Sequence, residues 1–326
     1  MDDRAADRYL AEEGVDRGRG AESPREVPPR GWKDVLVRVM RQVKSDNVPL
    51  LAAGVAFFAL LALVPSLVAL VSVYGLVAEP ADIQRNIEDA LAAAPTEVRD
   101  LVSSQLSSIV ESEPSGLRLG VAVGLALALW SASSGVKHLI SALNVAYDEE
   151  EGRKFFKLRG LALVLTVGAV ILAAVALGAL VVLPATLDSG PPRTALLIVR
   201  WPLFALVGLA ALALLYRWAP DRGTARWRWV SPGAIFAVIG WVVASVGFSI
   251  YTRNFGSYNE TYGALGAIVV VMLWLFISAY VVIVGAELNA ELERQTAVDS
   301  TTGPSRPLGE RDAYAADTVG PSTAKR

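Results

Sequence analysis

Six long blocks of apolar residues constrain the fold of this chain more than any other feature. A helix needs roughly 20 apolar residues to cross the hydrocarbon core of a bilayer. Of the 326 residues, 53% are hydrophobic and only 19% are charged. Lipid offers backbone groups no hydrogen-bond partner, so spanning segments of this kind are helical. The sequence therefore predicts an all-α polytopic membrane protein with six transmembrane helices, at about 48–78, 117–143, 161–187, 195–219, 231–252 and 264–287.

Lysine and arginine fall mainly on one side of the predicted spans. Because positively charged flanks stay in the cytoplasm, this asymmetry predicts that both termini are cytoplasmic. The flanks 1–30 and 297–326 are polar and rich in Gly, Pro and Ser, so we expect disordered cytoplasmic tails around a membrane domain of 31–293. Segment 80–115 is typical of short extracytoplasmic amphipathic helices. The basic flanks hold Lys33, Arg38, Arg41 and Lys44, then Arg153, Lys154, Lys157 and Arg159, then Arg217, Arg222, Arg226 and Arg228.

The second predicted span continues into a polar segment, WSASSGVKHLISALNVAYDEE at 130–150. Its polar side chains recur at steps of three and four residues, so they share one face of a helix. Lipid cannot satisfy that face, and we expect it to line a hydrated cavity at the cytoplasmic end of the bundle. His138, the only histidine, is interpreted as a structural, hydrogen-bonded residue. The polar face consists of Ser134, Lys137, Ser141, Asn144 and Asp148.

Glu287 lies near the cytoplasmic end of the sixth span, and a charge at that depth needs a partner. Its depth permits a pair with Lys137, and Arg217 is the competing partner. In the alternative interpretation, both cations simply extend to the lipid headgroups. Pro65 lies near the centre of span one and predicts a kink there, because proline removes a helix hydrogen bond. The candidate substrate or cavity residues are Ser134, Lys137, Ser141, Asn144, Arg217, Glu287 and Asn289.

Several kinds of chemistry are disfavoured by composition. The chain has no cysteine and one histidine, which excludes disulfides, thiol catalysis and Cys- or His-rich metal sites. Metal-dependent nucleases need clustered ligands, and the basic residues form no RNA-sized patch. We therefore expect no enzymatic activity, no cofactor or metal, and no nucleic-acid partner. An intramembrane hydrolase built on Ser134 and His138 stays open as a weak alternative, since no general acid or oxyanion motif accompanies that pair.

The chain resembles the YihY / virulence factor BrkB family of bacterial inner-membrane proteins over residues 33–293. The resemblance lies in LAAGVAFFALLALVPSL, WSASSGVKHLISALNVAYDEEEGR, LYRWAP, SPGAIFAVIGWVVASVGFSIY and the closing FGSYNETYGALGAIVVVMLWLFISAYVVIVGAELNAELE. Family members usually carry tyrosines and a serine in span one, where this chain has Phe57, Phe58 and Ala62. The resemblance implies a six-span, multi-pass protein of the bacterial plasma (inner) membrane. It links some members to envelope integrity, serum resistance or movement of lipid A–type lipids, and it brings an old ribonuclease label that the composition opposes.

Two functions from different classes fit these observations. The first is a transporter or flippase-like protein for an envelope lipid or a small amphipathic solute, motivated by the polar face of span two, Glu287 and the kinked span one. The second is a non-transporting membrane scaffold for cell-envelope machinery. A polar cavity reaching Lys137 and Glu287 favours transport, whereas a tightly packed bundle favours the scaffold. Either protein contacts the lipid bilayer, and its small-residue faces allow a homo-oligomer.

Overall fold

The computed structural model describes residues 17–74, 118–177, 191–253 and 264–323. Within these ranges the chain forms helices, and its β structure is limited to one isolated bridge between Ala225 and Thr301. A 3-10 turn at Pro24–Glu26 precedes the first helix. The helices are α1 Pro29–Ser45, α2 Val48–Tyr74, α3 Arg118–Ala146, α4 Phe155–Leu177, α5 Pro191–Trp218, α6 Trp227–Arg253, α7 Ala264–Glu293 and the short α8 Tyr314–Asp317.

Helices α2 to α7 coincide with the described parts of the six predicted apolar blocks, which confirms the all-α architecture. In the described ranges, three stretches are long and apolar enough to cross a membrane, Phe155–Ala176, Trp227–Thr252 and Ile268–Glu293. A fourth results if α1 and the first part of α2, Val48–Leu63, form one span bent by 62°. The number of spans and the side of the termini stay predictions. Segment 80–115 lies outside the described residues.

Helix α7 is the central helix of the bundle, and it packs against α1, α2, α3 and α6. The remaining main contacts join α2 to α3, α3 to α4 and α5 to α6. The core concentrates around the C-terminal half of α7, where Ile283 is fully buried together with Ile140, Leu143 and Tyr216. Large aliphatic side chains on the outer faces of α4 and α6 stay exposed, as expected of surfaces that face lipid tails. They include Val164, Ile171, Val175, Ile239, Val243 and Val246.

Two glycines allow α6 and α7 to approach closely. A Cβ on Gly233 would collide with the carbonyl oxygen of Gly285 and would lie 2.6 Å from Cγ of Asn289. A Cβ on Gly285 would lie 2.5 Å from the Tyr216 hydroxyl oxygen. Small residues at such crossings let backbones meet, which is how membrane helices gain packing energy without a hydrophobic driving force.

Helix α1 was not predicted as a separate element. It is amphipathic, and it buries Val35 and Val39 against Trp229, Leu288 and Leu292. Its apolar residues recur at helical spacing, but the block is too short and too charged to stand out beside the six long ones. The break after it falls at Asn47, whose φ of 50° lies in the left-handed region that asparagine tolerates.

The described parts of both flanks, 17–30 and 297–323, pack against the rest of the chain, whereas their composition is typical of disordered tails. Arg19 and Arg311 are 1% and 4% exposed. Arg311 donates to the carbonyl oxygens of Ala316 at 2.7 Å and Ala297 at 2.9 Å, while Arg19 donates to that of Gly320 at 2.8 Å. Composition indicates disorder because these segments have few large apolar residues. Buried arginines that satisfy backbone carbonyls stabilise them instead.

The predicted kink at Pro65 stays a prediction. Helix α2 continues through this residue from Val48 to Tyr74. The bend that the structure records in this region is the 62° angle between α1 and the start of α2.

Candidate functional site

Five polar residues at the C-terminal end of α7 are almost completely buried. They recur at every second position of the sequence ELNAELERQ, and on a helix such spacing spreads them around the axis. Each one therefore reaches a different neighbour, which is possible because α7 is surrounded by other elements. We call this set the α7 polar end: Glu287, Asn289, Glu291, Glu293 and Gln295, all at most 1% exposed.

Glu287 meets another carboxyl group. Its side chain lies close enough to that of Asp46, the residue between α1 and α2, for the two groups to interact electrostatically. Among the described residues, Oε1 of Glu287 and Oδ2 of Asp46 are both buried without a hydrogen-bond donor. Two carboxylates in contact repel each other unless they share a proton. We call Asp46 and Glu287 the carboxyl pair.

Charged groups from three elements surround the carboxyl pair. Asp148, just after α3, and Glu291 of α7 add negative charge. Arg294 compensates it, with Nη1 at 2.7 Å from Glu291 Oε1 and 3.7 Å from Asp148 Oδ2. Burial raises the pKa of Asp148, the charge of Arg294 opposes that effect, and the nearby Asp46 and Glu291 reinforce it. Asp148 therefore holds its proton more tightly than it would in water.

Two buried ion pairs complete the α7 polar end. Glu291 pairs with Arg38 of α1, which also donates to Gln295 Oε1 at 2.9 Å. Glu293 pairs with Arg222 after α5, with an Nη2–Oε2 distance of 2.6 Å. Both pairs attach separate elements to the last long helix of the chain.

Neither of the two candidate partners, Lys137 and Arg217, pairs with Glu287 among the described residues. The guanidinium of Arg217 stacks over the Trp227 ring at 4.4 Å. Depth along the membrane permits both pairs, but Asp46 fills the position instead. As part of SDN before span one, Asp46 has the local sequence of a helix-capping residue and gives no other signal.

The two candidate asparagines connect elements. Oδ1 of Asn289 accepts the N–H of Gly233 at 2.7 Å, and its Nδ2 donates to the Val230 carbonyl at 3.1 Å. Asn144, only 3% exposed, donates to Glu151 Oε2 at 2.8 Å and accepts the N–H of Asp221 at 2.8 Å. Such buried, satisfied amides hold helices in fixed register.

Most of the predicted polar face of α3 does not pack into the apolar core. Ser141 is exposed and Lys137 only partly buried, whereas Ile140 and Leu143 face the core. The small residue Gly135 faces α2, since a Cβ there would lie 3.3 Å from the Ala62 Cβ. Helical spacing identifies a face, but not the neighbour toward which it turns.

His138 stacks on Phe58 of α2, with ring centroids 3.4 Å apart, so it packs between helices. Ser134 accepts a hydrogen bond from Arg159 of α4 at 3.2 Å. Topology assigns Arg159 to a basic flank, although it lies a full turn inside α4. It ends the basic segment RKFFKLR, and no local signal distinguishes it from the other cations there.

Long apolar helices around a buried polar end define an α-helical membrane protein. The sequence profile of the virulence factor BrkB family matches residues 39–309. The chain therefore belongs to the virulence factor BrkB family, which confirms the resemblance found in its motifs.

Three relatives illustrate how far the similarity extends. A ribonuclease-like protein of Bacillus subtilis, YfkH, is 34% identical over 75% of this chain and 90% of its own length. A UPF0761 membrane protein of Alteromonas mediterranea is 27% identical over 80% of this chain and 88% of its own length. Another, from Rhodospirillum centenum, is 31% identical over 76% of this chain and 55% of its own length. No solved structure matches the chain.

Proposed function

We propose that this protein is a multi-pass protein of the bacterial inner membrane that moves an envelope lipid or a small amphipathic solute. The observation that carries the proposal is the carboxyl pair, in which Glu287 of α7 meets Asp46 at the break between α1 and α2. Ionisable groups buried at membrane depth are costly, and they typically mark ion or substrate pathways. In this proposal the protein catalyses no bond cleavage, and the ribonuclease-like name stays with its relative.

The position of the pair supports a moving junction. Helices α1 and α2 meet at 62°, and the connection passes through the left-handed backbone of Asn47. A shared proton holds the two carboxyl groups together, whereas its loss leaves two adjacent negative charges. Deprotonation therefore pushes α1 and the start of α2 away from α7. A conformational equilibrium of this kind gives a transporter a proton-dependent step.

Reconstituted vesicles test this proposal. The probes are fluorescent phosphatidylglycerol and phosphatidylethanolamine, whose movement between leaflets is followed by chemical quenching with and without an imposed pH gradient. We expect wild type to exceed protein-free vesicles and to respond to the gradient. Glu287→Gln and Asp46→Asn should remove the response. Glu150→Gln serves as the control, because Glu150 is exposed near the same end of α3. Wild-type rates equal to protein-free vesicles for both lipids and for a labelled amphipathic solute would overturn the proposal.

The scaffold alternative has one specific observation in its favour. The described flanks, 17–30 and 297–323, are folded onto the α7 polar end and form a polar surface outside the apolar helices. Such a surface suits recruitment of envelope machinery. Crosslinking in cells distinguishes the two functions, since a scaffold yields discrete partners that disappear when Arg311→Ala loosens the C-terminal segment, and it moves no probe in vesicles.

A further inference from the structure

A buried arginine on the outer side of α3 forms no ion pair with any described residue. The guanidinium of Arg159, in α4, stacks over the Trp130 ring at 4.1 Å. It donates to the Trp130 carbonyl at 2.6 Å and to the Ser134 hydroxyl at 3.2 Å. The residue is 8% exposed, and within the described ranges its Nε has no hydrogen-bond partner. The ion pairs formed there do not include Arg159, so no described carboxylate compensates its charge.

A second cation lies on the same surface. Residues 130, 134, 137 and 141 follow steps of four, three and four, so they form one stripe along α3. Lys137 is partly buried in this stripe, and Ser141 beyond it is exposed. Trp130 at the other end is 46% exposed. Lys137 likewise forms no ion pair with another described residue. We call Trp130, Ser134, Lys137 and Ser141 the outer polar stripe.

The surroundings of this stripe resemble those of side chains at a membrane interface. Helix α4 begins with Phe155 and Phe156, which are 57% and 84% exposed, and its outer face continues with exposed aliphatic residues such as Val164. Lys157, next to Arg159, is exposed. Aromatic and basic side chains gather at the membrane interface in this manner, where long basic side chains reach the headgroups.

We propose that Arg159, Lys137 and Ser134 bind the phosphate of an anionic phospholipid whose acyl chains lie along the apolar outer surface of α4. The two cations compensate the phosphodiester charge, Lys137 and the Ser134 hydroxyl can donate to its oxygens, and the Trp130 ring flanks the glycerol region. A second copy of this chain fits less well, because the stripe offers cations without carboxylates beside an apolar surface. This site goes beyond the proposed transport, and it stands whether or not the bound lipid is moved.

Binding can be measured on the intact protein in nanodiscs. The probe is brominated phosphatidylglycerol, which quenches tryptophan at its contact site, compared with brominated phosphatidylcholine. We expect wild type to prefer phosphatidylglycerol and Trp130→Phe to lose the lipid-specific part of the quenching. Lys137→Gln and Arg159→Gln should each weaken the preference about tenfold, as expected for one charge-assisted contact. Lys157→Gln is the matched control, since it removes a neighbouring exposed cation, and it should change the preference less than twofold.

A charge-conserving variant and a competitor distinguish lipid binding from a structural role of Arg159. Arg159→Lys keeps the charge and should retain most of the preference, whereas a purely structural role of Arg159 predicts the same loss for Lys and Gln and would overturn the proposal. Excess inorganic phosphate should not displace the lipid, and equal competition by free phosphate would overturn it too. Equal quenching by both lipids, or equal effects of Lys137→Gln and Lys157→Gln, would also refute the site.

Discussion

Arg222 and Glu293 form a two-pronged ion pair that excludes water, with side chains only 2% and 0% exposed. The Nη1–Oε1 and Nη2–Oε2 distances are 3.1 Å and 2.6 Å, and Ser300 donates to the same carboxylate at 2.6 Å. The pair thus joins the segment after α5, the last residue of α7 and the C-terminal flank. Fork-shaped contacts of this kind fix geometry as well as charge.

We expect Glu293→Gln to lower the free energy of unfolding by about 3–5 kcal/mol, because it leaves Arg222 buried without a counter-charge. The apolar double variant, Arg222→Met with Glu293→Leu, should cost less, since it removes both charges together. The midpoint of thermal unfolding in detergent measures the difference. A double variant less stable than Glu293→Gln would contradict this account of the pair.

Gly233→Ala should separate α6 from α7 and destabilise the protein. The added methyl group meets the Gly285 carbonyl and the Asn289 amide, so the two hydrogen bonds of Asn289 are strained together with the crossing. We expect a loss of about 1–3 kcal/mol, typical of overpacking. Gly247→Ala in the same helix is the control, because nothing lies within 4 Å of its added Cβ. That change should be neutral or stabilising by up to about 1 kcal/mol. Similar unfolding midpoints for both variants would contradict the close crossing.

The C-terminal flank should loosen in acid through Asp299. Burial raises the pKa of Asp299, but hydrogen bonds from the backbone N–H groups of Arg306 and Thr301 and the Thr301 hydroxyl outweigh it, and the pKa falls below its ordinary value of 3.8. A depressed pKa means that the ionised form stabilises the fold above the unfolded value and that this stability disappears as pH falls through the folded pKa. The protection factors of residues 299–311, which correct for the pH dependence of chemical exchange, should therefore fall steeply between pH 5 and pH 2 in wild type. Asp299→Asn should exchange faster at pH 5 and lose most of that dependence. An unchanged pH profile in the variant would assign the loosening to other groups.

Arg311→Ala should release the C-terminal flank at neutral pH. The side chain donates to the carbonyls of Ala297, Ala316 and Arg306, so its removal leaves buried acceptors unsatisfied. Cleavage by proteinase K between 297 and 323 should become fast. Arg306→Ala provides the comparison, since Arg306 is 51% exposed and its pair with Asp312 lies at the surface, where ion pairs contribute little. Equal protease resistance in all three proteins would show that Arg311 does not hold the flank.

The apolar blocks predicted the long helices correctly because a run of this length has one stable conformation in lipid. The same reasoning missed α1, which depends on contacts with Trp229, Leu288 and Leu292 from the far end of the chain. It also assigned the described flanks to disorder. Their stability comes from arginine side chains that donate to distant carbonyls, and composition carries no record of such pairings.

The candidate site was predicted in part. Asn144 of α3 and the residues Glu287 and Asn289 of α7 are all buried, and the two helices contact each other. Burial of this kind is expected of polar residues in apolar helices. Their partners were not predictable, because depth along the membrane limits which residues can meet but does not select among them. Asp46 shows this most clearly, since a capping residue and the partner of a buried glutamate have the same local sequence. Lys137 shows the converse, because a helical wheel does not reveal which side faces the bundle.

The contact between Arg38 and Glu291 spans 253 residues, and this distance has a consequence for biosynthesis. Helix α1, with Arg38, leaves the ribosome early. The carboxylate that accepts the hydrogen bond of Arg38 belongs to α7, the last long helix. Contacts so far apart along the chain form late, because the intervening segment has to be arranged first. Until α7 is inserted, the arginine has only water or headgroups as partners. Insertion of α7 is thus the event that completes assembly, and a chain stalled before it displays an unmatched cation by which it differs from the finished protein.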